Sequence, residues 1–231
     1  MKRIILIFIL HLIFSKEFFG KSNRVPLNEQ AIEQTLKKNQ ASIQFIENKG
    51  QWDNRASFHG KAMNTDLWFT KQGMRLDAFS LEQDNTLRDE QGYKVIDTNG
   101  IRKGQVWDMH FVGMNAEAKY KPKAIRKEYY NYFIGNDSTK WAGNVKLYNE
   151  LWHEDIYRGI DLRYYSNDKG ILEYDFIVQP HTDYQSIKFT IEGAEHLHLN
   201  EHGDLMIGTK YLGELPISKP ISYQIMASGE R

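Results

Sequence analysis

The sequence predicts an all-β fold, most directly an antiparallel β-sandwich with a short N-terminal helix. Three observations carry this expectation. From Ser42 onward apolar and polar residues alternate with a period of two. Gly-, Asn- and Asp-rich turns break the alternation at spacings of about 8–12 residues. Finally, the short runs have no helical period between them that could cross over a parallel sheet.

Each element follows from its own residues. Met1–Gly20 reads as a signal peptide, with MKR as basic n-region and IILIFILHLIF (Ile4–Phe14) as an apolar stretch too short for a comfortable membrane span. Residues 21–41 read as a linker and a short helix. Asn28 caps the helix, which runs to about Asn39 with Ile32 and Leu36 on one face. Residues 42–231 then form one β-domain, its strands being SIQFIE, ASFHG, DLWFT, MRLDAFS, QVWDMHFVG, IDLRYY, LEYDFIV, IKFTIE, HLHLN and DLMIGT. The turns between them include Asn48-Lys49-Gly50, Lys71-Gln72-Gly73, Ser166–Gly170 and Glu201-His202-Gly203. Ser80–Gly100 is polar and reads as a long exposed loop.

Composition narrows the function classes. Lys and Arg number 30 against 30 Asp and Glu, so bulk electrostatics supplies no nucleic-acid or membrane-surface partner. The absence of cysteine excludes disulfides, thiolate catalysis and cysteine zinc sites. An exported chain without disulfides must be held by its core, and no cofactor is implied.

Four constellations could carry chemistry. His196 and His198, two apart in a strand, project from one face, the arrangement two imidazoles need on one zinc. His202 or Glu195 is a possible third ligand, and Leu197 and Leu199 would point into the core. His153-Glu154-Asp155 lacks the second histidine of a zincin helix and reads as a strand end running into a turn. Tyr129, Tyr130, Tyr132 and Trp141 could form a stacking platform for a glycan, with core packing the competing fate of Tyr132, Phe133 and Trp141. Last come the carboxylates of GIDLRYYSNDKGILEYDFIV. A five-residue Ser166–Gly170 loop would set Arg163 opposite Glu173 and Asp161 opposite Asp175. Two opposed aspartates need an arginine bridge, solvent or a cation such as calcium. No G-x-S-x-G elbow, H-E-x-x-H helix or phosphate loop occurs.

Several phrases, in order, carry a family likeness: FIENKGQWD (Phe45–Asp53), NYFIGND with Trp141, DIYRGIDLRYY, LEYDFIV, the turn at Gly203 and GELPISKPISYQ. The chain resembles the uncharacterised N-terminal β-domain of bacterial exported proteins, many from Bacteroidetes, that carry SBBP-type β-propeller repeats and type IX secretion sorting domains. The likeness spans about Ile43–Gln224. It departs at Arg158, where the family usually has proline. The resemblance implies a non-catalytic structural or interaction module at the cell surface or outside the cell, with propeller repeats as neighbouring partners; surface glycan is a possible ligand of the aromatic region 129–141. It also leads us to expect a domain truncated at its C-terminal end, with an unpaired strand edge near Arg231. A glycan-binding module and a zinc-dependent hydrolase at His196/His198 are the alternatives.

Overall fold

The period of two is realised as strands. The computed structural model describes residues 3–9, 43–62, 64–82, 88, 90–91, 100–167 and 170–225. In chain order these give β1 (Arg3–Ile9), β2 (Phe45–Glu47), β3 (Ala56–Ala62), β4 (Thr65–Thr70), β5 (Gly73–Glu82), β6 (Ile101–Phe111), β7 (Lys119–Tyr132) and β8 (Ala142–Tyr157). They continue with β9 (Ile160–Ser166), β10 (Leu172–Val178), β11 (Phe189–Glu192), β12 (His196–Leu199), β13 (Leu205–Thr209), β14 (Gly213–Ile217) and β15 (Ile221–Ile225). The described strand pairs are antiparallel. The helix expected over Asn28–Asn39 lies outside the described residues, as does most of the expected Ser80–Gly100 loop, whose first residues Ser80–Glu82 belong to β5.

Two sheets result, of very unequal size. Twelve strands form one large sheet in the order β11-β6-β5-β4-β3-β2-β8-β9-β10-β1-β15, with β7 attached to β8. The small sheet is β12-β13-β14. Alternation decides which face is buried: in β4, Thr65, Leu67 and Phe69 are inside while Asp66, Trp68 and Thr70 face outward. The inward residues of the large sheet meet one another and Ile207, Leu215 and Ile217 of the small sheet in one core. Aromatic edges set its centre, Phe45 against Phe69 at 5.3 Å and Phe69 against Tyr164 at 4.9 Å, each pair adding about 0.5–1.5 kcal/mol beyond area burial. Phe69→Ala would cost about 3–5 kcal/mol.

On the opposite face Ile46, Ala142, Val145 and Leu147 make a second cluster, covered by Trp52 and Tyr132. The sheet is therefore buried on both faces where β2 crosses it.

The longest hairpin, β7–β8, carries two structural roles. One edge of β8 pairs with β7 along its length; the other is shared by β2 near Leu147 and Tyr148 and by β9 from Glu150 to Tyr157. β7 thus branches off the main order as an edge strand, protected by Pro122, a run of lysines and two register shifts. His153-Glu154-Asp155 lies inside β8 and not at a turn, because the strand runs on to Tyr157. The apolar segment read as the leader contributes β1, which sits between β10 and β15.

Candidate functional site

The outer face of β3–β6 carries a row of directly paired residues. His59 lies opposite Trp68, Trp68 opposite Arg75, and Arg75 opposite Asp108, so four neighbouring strands present these side chains on one side. Beside the row, the loop after β2 brings up Trp52. Asn48 holds that loop: its Nδ2 donates to the carbonyls of Asp53 (2.9 Å) and Ala56 (2.7 Å), and its Oδ1 accepts from the Gly50 and Trp52 amides. Gln51 Nε2 donates to the Glu47 carbonyl, and Gly50 takes φ +104°, a conformation glycine adopts at no steric cost. The phrase ENKGQWD is thus a device for placing one tryptophan.

Together these residues line an open groove of about 810 Å³, with Trp52, Asp53, Arg55, Trp68, Arg75, Asp108 and His110 on its walls. The two tryptophans meet edge to face at 5.5 Å, and His59 packs at 4.3 Å from Trp68. Both arginines are forked onto carboxylates: Arg75 donates through Nε and Nη2 to Asp108 at 2.8 Å each, and Arg55 does the same to Asp53 at 2.9 and 2.8 Å. The Arg55 hydrogen bonds hold the Asp53 carboxyl down at about 2, and Arg75 lowers that of Asp108. His59 gives Nε2···Asp66 Oδ1 at 3.0 Å; burial pulls its pKa down against that partner. The two arginine–carboxylate pairs neutralise one another, and exposed Lys71 adds one positive charge at the rim. What remains is an apolar aromatic surface with hydrogen-bonding groups beside it, and no activated nucleophile among the lining residues. Sequence reading missed this groove, although Trp52 and Trp68 both fall in quoted motifs, because the row forms only when four strands adopt this register.

The histidine strand comes together in part. His196 and His198 share a face of β12, their rings 5.8 Å apart and nearly parallel. Their partner is Glu214 of β14, on the far side of β13. Its Oε1 lies 2.9 Å from His196 Nε2 and 3.5 Å from His198 Nδ1. His202 lies apart, 3.5 Å from Glu201. Leu197 and Leu199 do not enter the core: both are exposed, because β12 is the outer strand of the small sheet and Ile207, Leu215 and Ile217 supply its buried side.

The carboxylate hairpin keeps its expected faces but shifts by two residues. Ser166 pairs with Leu172, so Asp175 lies opposite Arg163, Glu173 opposite Tyr165 and Asp161 opposite Ile177. Asn167 fixes this register. Its backbone N–H donates to the Ile171 carbonyl, its Oδ1 accepts from the Ile171 amide, and its Nδ2 donates to Glu173. The loop is therefore Asn167–Ile171, and the expected opposition of Asp161 and Asp175 does not occur. Asp161 accepts from the Asp155 amide at 2.8 Å. Buried Asp175 accepts from the Tyr165 hydroxyl at 3.2 Å and lies 3.8 Å from Arg163, whose fork is spent on Glu150. An arginine answers the buried aspartate, joined to a carboxylate from β8 that the hairpin alone could not reveal.

Tyr129, Tyr130 and Trp141 are all exposed. Trp141 Nε1 donates to the Gly135 carbonyl and its ring meets Phe133 at 5.9 Å, while Lys146 sits over Tyr129. Tyr132 instead turns inward against Trp52 at 5.1 Å. The β7 register shifts between Ile125 and Tyr129 and again between Tyr130 and Tyr132, whose rings meet edge to face at 6.2 Å.

Among known proteins, the model of a family described as a domain of unknown function (DUF7948) matches residues 45–231. No curated protein and no solved structure matches the chain.

Proposed function

The chain belongs to the DUF7948 family, a domain of unknown function, and from its groove we propose that it is a non-catalytic binding module of an exported or surface protein. The observation that carries this is the Trp52–Trp68 groove with its self-neutralised arginine–carboxylate forks. Sugars offer flat C–H faces and a rim of hydroxyls. Tryptophan faces take the first, and forked carboxylates and guanidinium edges take the second. The ligand class we assign is therefore a neutral glycan.

Export rests on the MKR-IILIFILHLIF leader, and a setting beside β-propeller repeats rests on the phrases quoted above. In this reading the antiparallel framework works as a sandwich, with the small sheet closing over the large one and presenting the groove outward. A zinc-dependent hydrolase at His196/His198 is less well supported, since those side chains are 58% and 47% exposed and nothing around them excludes water.

A glycan array followed by tryptophan-fluorescence titration tests the proposal. Neutral polysaccharide should quench emission, Trp68→Ala should weaken binding at least about tenfold, a loss of about 1.4 kcal/mol, and Tyr129→Ala should change nothing. No response across the array, or equal binding by Trp68→Ala, would remove the groove as the site.

A further inference from the structure

The histidine strand carries a second site, independent of the groove. Glu214 stands two strands away from His196 and reaches it only because the residue between them, Gly208, has no side chain. Gly208 pairs with His196 on one side and with Glu214 on the other. The His196 ring lies across it: a Cβ built on Gly208 would sit 2.2 Å from the His196 Cε1 and 2.4 Å from its Nδ1. Any other residue there would push the ring off the strand and open the cluster. Glycine is otherwise a poor strand residue, so its presence at this position has a specific consequence. It lets a side chain on the outer strand bridge to the third strand.

The three side chains offer two imidazole nitrogens and one carboxylate oxygen, all within 4.8 Å of one another. They stand 58%, 47% and 41% exposed, so burial does not press them together. One carboxylate oxygen faces both rings. Two imidazoles and a carboxylate converging in this way match the donor set of open zinc sites, in which three protein ligands leave further positions for water. The nitrogen and oxygen donors suit first-row divalent ions and not calcium or magnesium, which take oxygen ligands.

We propose that His196, His198 and Glu214 bind one divalent transition-metal ion, zinc in the first instance, over Gly208. The ion ties β12 to β14 across β13. β12 is the outer strand of the small sheet, all four of its residues are exposed, and its described strand pairing is to β13 alone. Metal binding gives this strand a second attachment, so the small sheet is firmer with the ion than without it.

The test uses tag-free, chelator-stripped full-length protein titrated with zinc by calorimetry, with metal content after dialysis as a second readout. One equivalent should bind. His198→Ala, Glu214→Gln and Gly208→Ala should each lower affinity at least about tenfold, while His202→Ala should bind as wild type. Gly208→Ala is the decisive variant, because it keeps every ligand and removes only the space. Amide exchange read alongside should show β12 more protected when zinc is present; this keeps the proposal testable if one variant folds poorly. No binding at about 100 µM zinc, a stoichiometry unaffected by His198→Ala, or equal affinity in Gly208→Ala and wild type would each overturn it. The groove and its ligand stand or fall separately.

Discussion

Lowering the pH should destabilise this protein through one buried histidine, His153. It lies in β8, fully buried, stacked 4.2 Å from the Tyr120 ring at an interplanar angle of 25°. Neither ring nitrogen has a well-formed hydrogen bond to a described atom, the Ala118 backbone offering only a weak contact. Burial lowers its pKa from 6.5 to about 4, opposed only by the Ala118 backbone. The unfolded chain therefore takes up a proton first as pH falls, and the folded chain resists. Stability is fully present above pH 6.5 and drains away down to about pH 4. At about 1.4 kcal/mol for each factor of ten, the full loss is about 3 kcal/mol. With a urea slope of about 2–3 kcal/mol per molar, the midpoint should fall by roughly 1 M. The assay is urea unfolding, followed by tryptophan fluorescence, at pH 7, 6, 5 and 4.5. Stopping at 4.5 keeps most of the histidine effect and avoids the range where Asp108 and Glu150 lose their arginine partners. His153→Phe keeps the ring stack and cannot take the proton, so its midpoint should fall distinctly less than that of wild type, by the contribution of buried His59 alone. The His59 contribution is common to both proteins and cancels. Parallel decline in the two proteins would refute the reasoning.

Two further outcomes follow from the packing. Arg163→Met should cost about 2–4 kcal/mol in the same urea assay, because Glu150 and buried Asp175 both lose the guanidinium between them; a loss under about 0.5 kcal/mol would mean that the pair is merely solvated. A chain lacking residues 1–20 should show faster amide exchange at alternate positions of Leu172–Val178, those facing β1, while positions bonded to β9 keep their protection; uniform protection would contradict the place of β1.

Much of the fold was legible where strands are half buried and regular. Thr65–Thr70 and Ile160–Ser166 have the core on one side, so inside and outside residues alternate along them, whereas Leu172–Val178 is buried on both faces from Tyr174 onward. The β7–β8 hairpin escaped notice for the opposite reason. Most of β7 is exposed, and register shifts break the period in both strands; Ala124, Asn144 and Asp155 have φ near +53° within them. The hairpin faces at Arg163 and Asp175 could be read from parity. The register could not, because it hangs on the Asn167 side chain. The metal cluster was half visible: His196 and His198 are neighbours in sequence, but Glu214 arrives only through the order β12-β13-β14, and nothing marks Gly208 until the ring above it is seen.

The three-residue strand β2 has a kinetic consequence. Ile46 pairs with His59 on one side and with Leu147 on the other, so Phe45–Glu47 is the seam joining the β3–β6 block to the β8–β10 block. The first contact is local and can form early. The second must wait for a residue roughly a hundred positions later, a delay of about 5–20 s during synthesis. Until then Phe45 and Ile46 have no second strand to cover them. Closing that loop carries the entropy cost that slows non-local β-topologies. Substitutions at Phe45 and Ile46, which alone join β2 to β8, should therefore slow refolding in stopped-flow fluorescence more than equally destabilising changes within the β3–β5 meander.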